Sequence, residues 1–259
     1  MASLLLGVVL LCALVALSTS AAALTLHEAA KKDDAAAVTA AIAAGTKVDA
    51  KDAWGLTAAH HAAMQGAEKA LDALIAAKAD LKAPTTSGAV TPLHYAAFWG
   101  REGATVKLIA GGAAVDAANS ANRTALHMAA WSGWGTNIVP KLLAAKASPD
   151  AKDRGGQTPM HYAAKYAAAK ENPMPGNLGF EDGREEMLKK LIAAGGNKDA
   201  EDDAGDTPLH KAAEKGTENL IKALRKAGAD LTKLNKAGKT ARAVAEGSGK
   251  EKAAGLLQP

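Results

Sequence analysis

The chain has 259 residues, of which 48% are hydrophobic, 22% charged and only 3% aromatic. This hydrophobic share and the small net charge of +4 exclude a disordered chain. The charge is also too small to indicate nucleic-acid binding by itself. A single cysteine, Cys12, excludes an internal disulfide framework and a cysteine-based zinc site. The scarcity of aromatic residues argues against one thick globular core.

The N-terminal segment has the pattern of a secretory signal. Leu4–Leu17 is apolar, and small residues follow, among which Ala21 and Ala23 fit an A-x-A cleavage site. We therefore predict a cleaved signal peptide over residues 1–23 and a secreted or secretory-pathway protein. A membrane-spanning helix needs about 20 apolar residues. The segment barely reaches that length, so an uncleaved membrane anchor is the alternative.

An internal repeat organises the rest of the chain. Six histidines follow one another at steps of 33, 34, 33, 34 and 49 residues, and each is followed two residues later by a pair of alanines. They are His27, His60, His94, His127, His161 and His210. A threonine three residues before the histidine is a good helix N-cap, and proline after it suits the first helical turn. Each unit is therefore expected to contain two short helices that must stack on neighbouring units.

This pattern resembles the ankyrin repeat, most closely in T-P-L-H-Y-A-A at residues 91–97 and T-P-L-H-K-A-A at residues 207–213. The resemblance covers residues 24–259 and implies an all-α ankyrin-repeat solenoid of about seven units. We place the starts of the units near Leu24, Ala53, Ser87, Asn119, Arg154, Asp203 and Lys236.

Five units depart from the pattern, and one of them is the fourth, which has one added residue around Gly133-Trp134-Gly135. Leu24 stands where the first unit should have threonine, and Thr57 is followed by Ala58 instead of proline, which predicts a weaker helix start. Ala243 replaces the histidine of the last unit. The fifth unit contains an insertion near residues 168–183 with several prolines and glycines, so we predict a protruding loop between its two helices.

We find no sign of an enzyme. The resemblance assigns the six regularly spaced histidines a structural role, in hydrogen bonds to the threonine and the turn. His60 and His61 are adjacent, and adjacent helix residues do not face each other as a metal pair would. The sequence contains no G-x-S-x-G, H-E-x-x-H, P-loop or Rossmann fingerprint. We predict a non-enzymatic protein without a cofactor or metal.

The aromatic residues are concentrated in units two to five, whereas rings that serve only the core should be spread over all units. In ankyrin-like repeats, the two residues after the alanine pair and the tip of the hairpin face a groove. The aromatic residues that match those places are Trp54, Phe98, Trp99, Trp131 and Tyr166. An exposed aromatic strip marks an interaction site. Tyr95 and Tyr162, which follow the histidine, are expected to pack inside.

These observations predict a module that binds a protein partner through the concave aromatic face of units two to five, as a monomer and without nucleic acid. One alternative is a glycan-binding protein that uses the same rings. Another is binding of an anionic surface, because residues 203–259 carry the whole charge excess, with 11 Lys+Arg against 7 Asp+Glu. Membrane contact is expected only if the N-terminal segment is uncleaved.

Asn122 begins a sequon, N-R-T, and is a candidate glycosylation site. It occupies the hairpin position that holds Gly156, Gly205 and Gly238 in other units. Asparagine tolerates the left-handed conformation that such a turn requires, so the residue also has a structural explanation.

Overall fold

The structure is a computed structural model that describes residues 25–165 and 181–258. Within these residues, short α-helices follow one another in seven pairs. The first pairs are α1 (Leu26–Lys31) with α2 (Ala35–Ala43), α3 (Ala58–Gln65) with α4 (Glu68–Ala76), and α5 (Pro92–Phe98) with α6 (Glu102–Ala110). They continue with α7 (Ala125–Ser132) and α8 (Ile138–Ala144), α9 (Pro159–Lys165) and α10 (Glu181–Ala193), α11 (Pro208–Lys215) and α12 (Glu218–Lys226), and α13 (Ala241–Gly247) and α14 (Glu251–Leu256). The prediction of an all-α repeat of about seven units is confirmed.

Two predicted segments lie wholly or mostly outside the described residues. The signal peptide, residues 1–23, is one of them. Of the insertion near 168–183, residues 168–180 are also outside, while the last three residues belong to α10, which begins at Glu181. No helix in the described ranges combines the length and the apolar character that a membrane crossing needs.

Each central histidine joins its own helix start to the next unit. The backbone N–H of the threonine three residues earlier donates to the ring Nδ1 at 3.0 to 3.2 Å. Because Nδ1 accepts, the proton is on Nε2, which donates to a hairpin carbonyl of the following unit at 2.8 to 3.0 Å. The rings concerned are His60, His94, His127, His161 and His210. Both ring nitrogens are occupied, so these histidines are structural, as predicted.

The paired alanines determine how the helices stack. Ala62, Ala63, Ala96 and Ala97 have no exposed surface, and the pairs in α7, α9 and α11 are equally buried. Because methyl groups let helices approach closely, neighbouring first helices pack more tightly than neighbouring second helices do. The first helices therefore form one closely packed layer along the row.

The second helices contribute the larger apolar side chains. Leu71 and Leu74 of α4, Leu108 of α6 and Leu142 of α8 are fully buried, and the later second helices repeat the pattern. These leucines fill the space between the two helix layers, and together with the alanines they form one continuous core along the chain. A single unit could not bury this surface alone, which is why the units stack.

The two terminal units end the row with different caps. Thr25, one residue after the expected position, is the N-cap of α1 and accepts from the backbone N–H of Glu28. In the last unit, Thr240 accepts from the backbone N–H of Ala243, which replaces the histidine. His27 of the first unit still reaches the loop beyond α2, with its Nε2 2.9 Å from the carbonyl oxygen of Ala50.

Candidate functional site

Three aromatic side chains at the ends of neighbouring first helices meet on the layer that these helices form. The ring of Phe98 on α5 contacts that of Trp99 with centroids 5.6 Å apart, and that of Trp131 on α7 with centroids 5.7 Å apart. Both contacts are edge-to-face, the favoured geometry for aromatic pairs. Trp99 is 37% exposed, while Phe98 and Trp131 are half-buried. These three residues are called the aromatic cluster below.

Trp131 is held in place from behind by a polar network. The guanidinium carbon of Arg123 lies 5.1 Å from the Trp131 ring centroid and 5.4 Å from that of Tyr162, within cation–π range. The Tyr162 hydroxyl donates to Oδ2 of Asp153 at 2.7 Å, and Nε of Arg123 lies 3.6 Å from the same oxygen. Burial opposes ionisation of Asp153, but the Tyr162 hydroxyl and backbone N–H groups outweigh it and lower its pKa. These contacts hold the Trp131 ring against Arg123 and Tyr162.

The hairpin of each unit is built on one side chain that accepts backbone hydrogen bonds. In three units this residue is an aspartate, and its second oxygen is bonded to a donor nine residues later. The pairs are Asp52 with His61, Asp153 with Tyr162, and Asp202 with Lys211, each at 2.7 Å.

Where the hairpin residue is a neutral asparagine, no such donor follows. Asn119 and Asn235 have Met128 and Val244 at the corresponding places. A buried carboxylate needs a partner, whereas the amide does not carry a charge that must be compensated. This pattern accounts for His61, the one histidine outside the regular series. Sequence reasoning missed the pairing, although the nine-residue spacing was visible.

Of the two remaining predicted site residues, Trp54 is separate from the cluster. Trp54 lies at a hairpin tip and is 71% exposed, and its side chain makes no ring contact within the described residues. Tyr166 lies outside the described residues. Tyr162 is buried and Tyr95 half-buried, as expected from their position after the histidine.

Trp134 is an exposed aromatic residue that the predicted site omitted. It lies in the extra turn after α7, packs on Gly100 at the end of α5, and is 39% exposed. Gly100 has a φ of 66°, and a Cβ there would be 2.7 Å from Cβ of Trp134, so only glycine fits. The added residue around Gly133-Trp134-Gly135 was the available signal.

Asn122 adopts the left-handed conformation expected from its place in the hairpin, with φ of 59°. Its Nδ2 donates to the carbonyl of Lys152 in the next unit at 2.6 Å, although the residue as a whole is exposed. The side chain therefore links two hairpins, and the conformational part of the prediction is confirmed.

The basic side chains of the C-terminal units are less available to bind anions than the composition of these units suggests. Lys211 is buried and contacts Asp202 and Asp206, each at 2.7 Å. Burial opposes its charge, but these two carboxylates outweigh it and raise the pKa of Lys211. Lys233 and Arg242 form ion pairs with Glu201 and Glu246. Lys211 is thus a structural cation and is removed from any surface for anions.

The described residues contain no cluster of three or more His, Cys, Asp or Glu side chains that could hold a metal ion. Burial lowers the pKa of His60 and His127 to about 4, and lowers that of His94 and His161 as well. At neutral pH these rings are uncharged. They serve the hydrogen bonds between units.

Comparison with known proteins agrees with this geometry. A family described as ankyrin repeats in three copies matches residues 26–117, 101–171 and 179–258. The crystal structure of the human ASB11 ankyrin repeat domain superimposes with a TM-score of 0.74 at 27% sequence identity, covering 90% of this chain and 97% of that one. None of the curated proteins matches the chain.

Proposed function

Because the chain belongs to the ankyrin-repeat family, whose repeats generally mediate protein–protein interaction, we propose that it binds a protein partner through the concave face of units two to five. The aromatic cluster supplies the central contact surface, and Trp54 and Trp134 extend it. Tyr166 belongs to the same proposal by its place in the repeat. The protein works without a catalytic step, by presenting a rigid surface.

The observation that carries this proposal is the aromatic cluster itself. Phe98, Trp99 and Trp131 lie in contact across two units, and Trp99 is exposed. The paired alanines already fill the core beneath these rings. Large apolar side chains that remain at the surface in one contiguous group are typical of interaction sites. Trp and Tyr also carry a disproportionate share of binding energy at interfaces.

The test is a quantitative affinity capture from the cells that make the protein. The bait is the protein as those cells produce it, compared with Trp99→Ala, Trp54→Ala and the control Leu234→Ala. Both tryptophans are exposed, so their truncation leaves the fold intact. Leu234 is also exposed, at 59%, but lies in the loop before the last unit, away from the cluster.

We expect one or more proteins to be captured by the wild type and by Leu234→Ala, and to be depleted by Trp99→Ala. Loss of an aromatic anchor costs about 2 kcal/mol or more, which corresponds to roughly 30-fold weaker binding. Capture that is the same for all four baits would show that the concave aromatic face is not the binding site.

We propose in addition that the protein enters the secretory pathway, with residues 1–23 removed. The support is the apolar stretch Leu4–Leu17 followed by the small residues around Ala21 and Ala23. N-terminal sequencing of the protein from its producing cells is expected to start at Leu24. A protein that still begins with its first residues in a membrane fraction would indicate an anchor instead.

A further inference from the structure

The side chains that follow the alanine pairs form one row along the first helices. In chain order they are Lys31, Met64, Phe98, Trp131, Lys165 and Glu214, and all six are half-buried. The contact between the rings of Phe98 and Trp131 shows that neighbours in this row touch. The middle of the row is therefore apolar, and a lysine lies on each side of it, of which Lys31 is ion-paired with Glu28 at 2.8 Å.

The surroundings of the apolar middle are cationic as well. Arg123 lies over the Trp131 ring with 30% of its side chain exposed, and Arg154 is exposed at the hairpin tip of the next unit. Lys165 follows Trp131 in the row. The carboxylates that units two and five place in their hairpins, Asp52 and Asp153, are half-buried and bonded to His61 and Tyr162, and Asp153 also lies 3.6 Å from Nε of Arg123.

These charges decide what the aromatic cluster can accept. An exposed indole ring attracts either an apolar side chain or a cation. Arg123 already lies over the Trp131 ring. Arg154 and Lys165 add two more positive charges from the following unit, so another cation would be repelled by like charges. An apolar group with carboxylates beside it would gain from both the rings and the cations.

We propose that the partner docks an acidic peptide segment on this face, with apolar side chains in contact with the aromatic cluster and with carboxylates near Arg123, Arg154 and Lys165. This inference rests on the function proposed above and names the chemistry of the partner.

The experiment has two stages and uses the full-length protein as its cells produce it. A phage-displayed library of random peptides is first selected on the wild-type protein. Peptides that also bind Trp99→Ala are then removed. The enriched peptides are synthesised, and their affinities are measured by fluorescence polarisation for the wild type, Arg154→Glu, Lys165→Glu and Lys222→Glu.

Lys222→Glu is the matched control. Lys222 lies on the second helix α12, at the rim of a groove on the outer layer lined by Lys189, Ile192 and Ala223, away from the aromatic cluster. Arg154 is exposed at a hairpin tip, so its reversal leaves folding intact even if that of Lys165 does not.

We expect the enriched peptides to combine Asp or Glu with large apolar residues. Arg154→Glu and Lys165→Glu should each weaken binding by about tenfold, and Lys222→Glu by less than about twofold. The reason is that reversing a charge weakens the binding of an oppositely charged peptide only where the peptide contacts that charge. Raising the salt concentration should weaken binding further, because these charges are partly solvent-exposed.

Two results would overturn the inference while leaving the proposed function standing. One is enrichment of basic or uncharged peptides that depend on Trp99. The other is affinity that Arg154→Glu and Lys222→Glu change equally. If no peptide depends on Trp99 and a sulfated or carboxylated polysaccharide binds the wild type through that residue instead, the peptide proposal and the proposed function both fail.

Discussion

At the scale of single residues, the polar network behind Trp131 is the least expected feature. One carboxylate oxygen of Asp153 accepts hydrogen bonds from the hairpin backbone, and the other accepts one from the Tyr162 hydroxyl. Only 6% of the Asp153 side chain is exposed. A buried carboxylate oxygen that loses its donor incurs its desolvation cost without compensation. The hydroxyl of Tyr162 therefore stabilises the fold and also determines how Trp131 is presented.

We predict that Tyr162→Phe lowers the free energy of unfolding by about 1–3 kcal/mol, because it leaves the Asp153 oxygen without its hydroxyl donor. Urea denaturation followed by circular dichroism measures the change. The control is Tyr95→Phe, which occupies the same place after the histidine in α5, where the hairpin residue is Thr85 and carries no charge. Equal effects of the two substitutions would show that the carboxylate pairing does not matter.

At the scale of helices, the threonine–histidine contact is enough to start a first helix. Thr57 lacks the following proline, and a weaker start was expected for α3. The structure nevertheless gives α3 the same capping box as α5 and α11, with Thr57 N to His60 Nδ1 at 3.0 Å. The geometry of the start is therefore the same without proline, because the histidine ring accepts the threonine N–H in either case. The lower stability of this start stays a prediction.

Proline at position 58 should still raise the stability of the protein, because it reduces the number of conformations open to the unfolded chain. Ala58 is the first residue of α3, and Thr57 before it is extended, with φ of −88° and ψ of 169°, a conformation that proline permits in its predecessor. We predict that Ala58→Pro raises the free energy of unfolding by about 0.4–1 kcal/mol, measured by urea denaturation. A loss of stability would mean that the ring does not fit at this buried position.

At the scale of the whole molecule, the series of histidines connects neighbouring units from α3 to α13. In every link the ring Nε2 meets a carbonyl of the next hairpin. The rings of His60, His94, His127 and His161 are neutral at pH 7, because burial lowers their pKa. Protonation of Nδ1 would break the hydrogen bond that this atom accepts from the threonine N–H, so the contacts made by these four rings depend on pH in the same way.

We predict that acid unfolds the protein in a defined range. The pKa of His60 and His127 is lowered from 6.5 to about 4 in the folded state, so below pH 6.5 the unfolded chain binds more protons and stability falls. At pH 4 the loss is on the order of 3 kcal/mol for each of these rings. The free energy of unfolding should have its full value above about pH 6.5 and should fall progressively toward pH 4.

Urea midpoints measured between pH 7.5 and pH 4 test this prediction. The hairpin carboxylates such as Asp153 act at lower pH. Because the pKa of Asp153 is lowered from 3.8 in the folded state, the stability that it contributes is lost only as the pH falls below about 3.8. Midpoints that stay constant down to pH 4.5 would contradict a role for neutral histidines in the contacts between units.

Much of the architecture was determined by the sequence alone, because each element has a local signal. The period of 33 or 34 residues, the threonine before the histidine and the alanine pair are all short-range patterns, and they predicted the units, the helix starts and the buried methyl layer. The same reasoning predicted the left-handed turn at Asn122. It also placed Phe98, Trp99 and Trp131 on one side of the helices.

Only the tertiary structure decided which of these side chains meet and what surrounds them. The contact between Phe98 and Trp131 joins two units, the position of Arg123 over Trp131 joins a hairpin to a helix, and Trp134 reaches Gly100 of the unit before it. Such contacts depend on the close approach of neighbouring first helices and on the burial of charges such as Lys211. Sequence spacing does not contain that information, because it fixes the order of residues in a unit but not the distances between side chains of different units.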